Sequence, residues 1–268
     1  MICTVGDLLL DVVVRLEGPI AEDTDTYGRT RVGAGGQAAN VAAWVVALGG
    51  EARFIGKRAG DPAGRLLAEE LERRGVELVG PEVEAGTGTG TVVSIATPDG
   101  KRTMLSDRGV SVRLAANEVD RAWLAGCERL HLPAYSVAAQ PIAGAALEAA
   151  ALAPKVSIDL SSTAALELVG IERFRGLVDE LGPDVVFANE AEAELVGRLD
   201  VETFVLKRGA RGCVVRTSGE EREYPARPAE VVDTTGAGDA FAAGFLVGGP
   251  ELGLEAAARC VGQLGAMP

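Results

Sequence analysis

Short runs rich in Val, Ile, Leu and Thr recur along the chain, and most are separated by segments whose apolar positions repeat at helical spacing. Brief β-branched runs predict strands, and a 3.6-residue period predicts amphipathic helices. Strands are expected over 3–10, 52–55, 129–132, 156–159, 185–188 and 203–207. A helix is expected over 36–48, stopped by Gly49-Gly50, and another over 62–74, opened by Pro62 and closed before Gly75. Segments 213–217 and 221–224 predict a hairpin across Ser218-Gly219-Glu220. Strand alternating with helix predicts an α/β fold, a mostly parallel sheet covered by helices.

Two stretches leave that rhythm. Segments 26–32 and 91–105 alternate polar and apolar residues, with no helix between the strands they predict. Pro98-Asp99-Gly100 supplies a turn inside the second. They predict a small β flap beside the main sheet, able to close over a ligand. An ordinary edge hairpin is the plainer alternative.

Composition narrows the function classes. The 268 residues hold 26 basic and 39 acidic side chains, a net charge of −13. Such a surface opposes nucleic acid and anionic membranes. No apolar run is long enough to span a bilayer, and no basic leader with a cleavage site follows Met1, so a cytoplasmic protein is expected. The four cysteines are scattered and form no C-x-x-C pair, which removes the usual zinc and redox signatures and suits a reducing compartment. His131 is the single histidine, so metal sites built on histidine clusters are excluded. It lies in Arg129-Leu130-His131-Leu132-Pro133 and reads as a half-buried structural residue.

The segment richest in chemistry is Val232-Asp233-Thr234-Thr235-Gly236-Ala237-Gly238-Asp239-Ala240. A strand-like run over 229–232 enters it and a helix over 238–247 leaves it. Glycines at 236 and 238 let backbone N–H groups converge at a helix N-terminus, where the dipole favours an anion such as phosphate. A carboxylate at Asp239 would repel that phosphate as a mere ligand, but it can take the proton of a hydroxyl attacking it. The plainer reading makes Asp239 a charge partner of the helix dipole.

These residues resemble the second signature of the ribokinase/PfkB carbohydrate-kinase family. Gly33-Ala34-Gly35-Gly36-Gln37-Ala38-Ala39-Asn40 is similar to its first signature, although it also meets a loose dinucleotide pattern, G-x-G-x-x-A. Neither Gly56-Lys57-Arg58 nor Gly100-Lys101-Arg102 continues into a Walker A loop, and the family has none. The resemblance covers nearly the whole chain, with a shorter closing segment over 250–268 than the family pattern. It implies a single domain over 1–268 with the ribokinase-like three-layer sandwich, lid segments at about 12–34 and 88–109, and transfer of the ATP γ-phosphoryl group to a hydroxymethyl group of a sugar or sugar-like alcohol.

The resemblance also implies roles for individual residues. Asp239 would be the catalytic base, with the amides of Gly236, Ala237 and Gly238 neutralising the transferring group. Asp11, Gly35, Gly36, Gln37 and Asn40 would hold the alcohol, and Arg108 in the flap would touch it, unless it and Arg102 are solvated surface arginines. Asn189-Glu190-Ala191-Glu192 looks like the N-x-x-E motif, implying that Asn189 and Glu192 organise magnesium through water, against a simple capped helix as the alternative. Lys207-Arg208-Gly209-Ala210-Arg211-Gly212 is similar to the nucleotide loop T-x-G-x-x-G, with Lys207 where threonine is frequent; Asn189, Lys207, Gly209 and Gly212 would face the nucleotide. Asp233 and Thr235 match potassium ligands. The implied partners are a small-molecule sugar or nucleoside and a second copy of the chain through the lid. A nucleoside kinase, a sugar- or nucleotide-binding regulator without catalysis, and an NAD-dependent oxidoreductase stay open beside the sugar kinase.

Overall fold

The computed structural model describes residues 1–84, 88–99 and 102–268, and the Arg102 side chain lies outside the described set. The chain opens with β1 (Ile2–Val5), β2 (Leu9–Leu16), β3 (Gly28–Gly35), α1 (Gln37–Ala47), β4 (Ala52–Ile55), β5 (Arg58–Ala59), α2 (Pro62–Arg73), β6 (Glu77–Val79) and β7 (Glu82–Val83). It continues through β8 (Thr89–Ala96), β9 (Arg102–Gly109), β10 (Arg129–Pro133), α3 (Tyr135–Ala138), α4 (Ile142–Leu152), β11 (Val156–Asp159), α5 (Thr163–Val169) and α6 (Ile171–Leu181). It closes with β12 (Val185–Asn189), α7 (Glu190–Val196), β13 (Thr203–Lys207), the hairpin β14 (Cys213–Thr217) and β15 (Glu220–Tyr224), then α8 (Ala237–Gly248) and α9 (Pro250–Val261).

The main sheet has nine strands in the order β15-β14-β13-β12-β11-β10-β1-β4-β6. All neighbours from β13 to β6 are parallel, and β14 pairs antiparallel with both β13 and β15. Its central strands are buried on both faces, so even the polar Thr4, His131 and Ser157 within them are fully buried. Leu130, Leu132, Val156 and Ile158 point into one core with α4 and α6. Phe54, Ala52 and Ile2 pack on the other face against α1, α8 and α9. Helices on both faces make three layers.

The second sheet has four strands, β3-β2-β8-β9, antiparallel except for the β2–β8 pair. It corresponds to the predicted flap, with one correction. The run at 3–10 is not one strand: β1 ends at Val5, and Leu9 already belongs to β2 in the small sheet. The break falls at Gly6, where a Cβ would lie 2.7 Å from both Ala38 Cβ and Ser136 Oγ, so the chain crosses between sheets in a gap that excludes side chains. The strand-like run at 229–232 is another correction. It forms no strand; Val231 is 64% exposed there and pairs with nothing in the sheet. In the predicted turn, Pro98 and Asp99 follow β8, while Gly100 and Lys101 lie outside the described residues.

His131 is fully rather than half buried, because β10 lies in the middle of the sheet. Its Nδ1 is 3.1 Å from Ser157 Oγ, and burial pushes its pKa down to about 4, so the ring stays neutral. All four cysteines are free and buried. Among the described residues no helix is long and apolar enough to cross a membrane.

Candidate active site

In open parallel sheets, ligands bind beyond the carboxyl ends of the strands. Here those ends, the inner face of the small sheet and the N-terminus of α8 enclose a cleft of about 500 Å³. Asp7 follows β1, Tyr135 follows β10, and Asp159, Asn189 and Lys207 close β11, β12 and β13. The register pairs Asp159 with Phe187 and Asn189 with Lys207, so these polar ends share the sheet face that α8 covers.

The glycine turn forms the cleft floor. Gly236 caps α8 in the left-handed region, at φ 77°, and a Cβ there would lie 2.4 Å from Ala266 Cβ. Only glycine meets both demands. Asp239 sits in the first turn of α8 and accepts a hydrogen bond from Asn40 Nδ2 at 2.7 Å. Its pKa is pushed up to about 7, chiefly by burial. The charges of Asp159 and Asp7 push the same way, while the Asn40 hydrogen bond and Lys207 oppose them. Asn40 in turn keeps its Oδ1 buried without a partner among the described residues.

Lys207 donates to Asp159 Oδ2 at 2.5 Å, and Asp159 is wholly buried. Burial works against the lysine's charge, but Asp159, Glu192 and Asp239 more than offset it, so its pKa is raised. Nζ would lie 3.4 Å from a Cβ at Gly238, which puts the ammonium against the glycine turn. Asn189 and Glu192 form a reciprocal cap at the start of α7: Asn189 Oδ1 accepts from Glu192 N at 2.9 Å, and Glu192 Oε2 accepts from Asn189 N at 2.8 Å. Both nevertheless face the cleft, and burial raises the Glu192 pKa.

At the other end, Arg108 reaches from β9 to form an ion pair with buried Asp7, and its guanidinium lies 3.7 Å above the Tyr135 ring. It is therefore not a solvated surface arginine. Asp11, Gln37 and Gly36 line the same end. Gly36 stands at φ 101°, where a Cβ would meet Asp7 O at 2.4 Å, so this glycine lets α1 start against the Asp7 loop.

The cleft thus gathers Asp11, Gly36, Gln37, Asn40, Arg108, Asn189, Glu192, Lys207, Gly209, Thr235, Gly236, Gly238 and Asp239. Four sequence candidates do not line it. Ala237 begins α8 inside the turn, and Gly35 packs on Asp11, with a would-be Cβ 2.8 Å from Asp11 Cβ. Gly212 closes its loop by accepting from Arg208 N at 2.8 Å. Asp233 accepts from Thr235 N and Oγ1 and from Gly265 N, tying the turn to the C-terminal segment. Asp7, Tyr135 and Asp159 were not singled out from the sequence. The signal for the two acids was there: Asp159 is the last residue of its strand, and Asp7 comes two residues after the end of β1.

Across its full length the chain superposes on a solved adenosine kinase from Sinorhizobium meliloti with a TM-score of 0.90 at 26% identity, covering 95% of that chain. The fold is ribokinase-like. Residues 1–267 match the profile described as pfkB family carbohydrate kinase, and the chain belongs to that family as a sugar kinase, of the phosphotransferase class. Among curated relatives, it is 30% identical to the ATP-dependent ribose-1-phosphate kinase of Halopiger xanaduensis, over 97% of this chain and 90% of that one. It is also 30% identical to the fructokinase of Klebsiella pneumoniae, over 92% and 83%.

Proposed function

We propose that this chain transfers the γ-phosphoryl group of ATP to a hydroxymethyl group of a sugar or sugar-like alcohol, with Asp239 as the base. The observation that carries the reading is the position of Asp239. A carboxylate with a pKa near 7 lies at a helix N-terminus, on the floor of a cleft, with an amide donor from α1 on one of its oxygens. A base poised near neutrality can hold an alcohol proton as the oxygen attacks. The new bond joins the alcohol oxygen to the γ-phosphorus, the β–γ bridging bond breaks, ADP leaves, and the proton passes through Asp239 to solvent. The α8 N-terminus and the Lys207 ammonium supply fixed positive potential where charge builds on the phosphoryl group. ATP as donor is supported by the name of the ribose-1-phosphate kinase relative.

Asp11, Gln37 and Asn40 orient the alcohol, and the four-stranded sheet serves as its lid over a domain spanning 1–268. Asn40 Oδ1, a buried acceptor with no partner among the described residues, lacks the kind of donor that a sugar hydroxyl provides. Magnesium fits as an ion carried by the nucleotide. Among the described residues no three His, Cys, Asp or Glu side chains form a metal cluster, but Asn189 and Glu192 present hard oxygens to the cleft and can hold a hydrated ion. When bound, it supplies neutralising charge to the phosphates. The Asp233 carboxylate already clasps the turn and Gly265, so no step is assigned to potassium.

A nucleoside acceptor is the second reading, favoured by the adenosine kinase match. The site argues against it: Tyr135 is the one aromatic ring lining the cleft among the described residues, and Arg108 covers its face. Asp239→Asn tests the main reading. Turnover of ATP with sugars should fall by about 10³-fold or more, with ATP affinity nearly unchanged. Turnover retained in that variant removes Asp239 as the base.

A further inference from the structure

The charges of the cleft are unevenly committed. The carboxylates of Asp7, Asp11, Asp159, Glu192 and Asp239 line it, and among the described residues only Arg108 and Lys207 bring positive side chains. Lys207 stands at the glycine turn on Asp159. Among the described residues the acceptor end therefore has a single cation, and that cation is held from two sides: Asp7 takes one guanidinium nitrogen, and the Tyr135 ring takes its face. The Asp7 side chain is only 5% exposed.

Resting on the sugar-kinase reading, we propose that the acceptor end takes an uncharged polyol and excludes sugars that already carry a phosphate or carboxylate. An anionic substituent that draws Arg108 from Asp7 leaves a buried carboxylate without its counter-charge, which is strongly unfavourable, and one that takes only the remaining guanidinium nitrogens meets a cation whose charge Asp7 already offsets. Without that move the anion also faces the buried Asp7 carboxylate, and juxtaposed like charges reject a ligand. A hydroxyl meets neither obstacle, because it donates and carboxylates only accept. Asp7 Oδ1 is buried with no partner among the described residues, a vacant acceptor of the kind a sugar hydroxyl satisfies. The two curated relatives stand on opposite sides of this divide: one is named for a sugar phosphate, the other for a neutral hexose. The Asp7–Arg108–Tyr135 arrangement places this chain with the neutral class.

The test uses matched acceptors that keep a free hydroxymethyl group: D-ribose against D-ribose 1-phosphate, and D-fructose against D-fructose 6-phosphate. Phosphoryl transfer from magnesium-ATP and calorimetric binding are measured in parallel. The expected wild-type result is a preference of about 100-fold or more in kcat/KM for at least one neutral sugar over its phosphorylated partner. Asp7→Asn, which releases Arg108, should narrow that ratio by about tenfold through a gain on the phosphorylated sugar. Arg108→Met should weaken the neutral sugar with no such gain, which separates freed charge from a loosened site. A wild-type protein that binds or turns over the phosphorylated partner equally well or better overturns the proposal. So does an Asp7→Asn variant with an unchanged ratio. If no acceptor of either charge is phosphorylated while calorimetry still shows the neutral preference, the kinase reading fails and the charge selection stands. Binding of none of the four sugars overturns both.

Discussion

Asp239 must be ionised to take a proton, yet its surroundings resist ionisation. The pKa near 7 sets the direction of two measurements. On the proposed reading, the pH–rate profile rises as pH climbs through about 7 and is flat above, and a profile already flat from pH 5 would refute the role. Stability runs the other way. A carboxyl raised from 3.8 to about 7 on folding favours the folded state below pH 4, and that advantage disappears as pH rises through 7. Asp239→Asn should therefore melt higher than the wild type at pH 8, with the gap closing toward pH 5. Lys207 poses a related problem, since its removal strands a wholly buried Asp159. Lys207→Met should cost about 3–5 kcal/mol of stability. The double variant Lys207→Met/Asp159→Leu should recover that stability without recovering turnover. Recovery of both in a denaturation and activity assay would show that the pair is structural only.

At the scale of elements, the site depends on two helices starting where they do. α8 begins at a residue that combines a positive φ with contact against Ala266, and Ala266 O in turn accepts from Trp44 Nε1 of α1 at 2.8 Å. Gly236→Ala should therefore destabilise the fold by about 1–3 kcal/mol and disturb α1 and α8 together. Loss of slow hydrogen exchange in α8 alone, with α1 untouched, would contradict that coupling. The same coupling explains what the sequence disclosed. The strands at 52–55, 156–159 and 203–207 were legible to the residue, because each is a short run with an apolar, aromatic or β-branched centre: Phe54-Ile55, Val156 with Ile158, and Phe204-Val205-Leu206. The glycine turn and Asp239 were legible because turn, helix start and acid lie within one short segment. β2 was misjoined to β1, since Leu8, Leu9 and Leu10 resume the apolar pattern across the crossover and only Gly6 and Asp7 mark it. Asp7 and Asp159 were overlooked because their partners, Arg108 and Lys207, are distant in sequence and meet them only through the sheets. The reciprocal bonds of Asn189 and Glu192 were readable as a cap, but their place in the cleft follows from strand order.

For the whole molecule, the small sheet presents two unlike faces. Its inner face carries Leu9, Asp11, Val92, Met104 and Ser106 toward the cleft. Strand register puts Val32, Val12, Val93 and Leu105 in one row across all four strands on the opposite face, with Val14 and Ile95 two residues along. Val32 is 54% exposed and Leu105 57%, so the row reaches solvent at both edges of the sheet. Apolar rows this continuous are normally covered, and exposed edge strands invite pairing. A second copy of the same sheet offers a self-complementary cover related by a two-fold axis. We propose on this ground the homodimer through the lid that the family resemblance implies, for which sedimentation equilibrium should find twice the chain mass at micromolar concentration. Leu105→Glu, and separately Val32→Glu, should each shift the population to monomer while leaving the far-ultraviolet circular dichroism unchanged, since neither side chain contributes to the buried cores. Because β9 also carries Arg108, the monomeric variants should show a raised KM for the sugar with a smaller change for ATP. A wild-type chain that sediments as a monomer throughout would leave the apolar row without this partner, and equal changes in both KM values would uncouple the lid surface from the acceptor end.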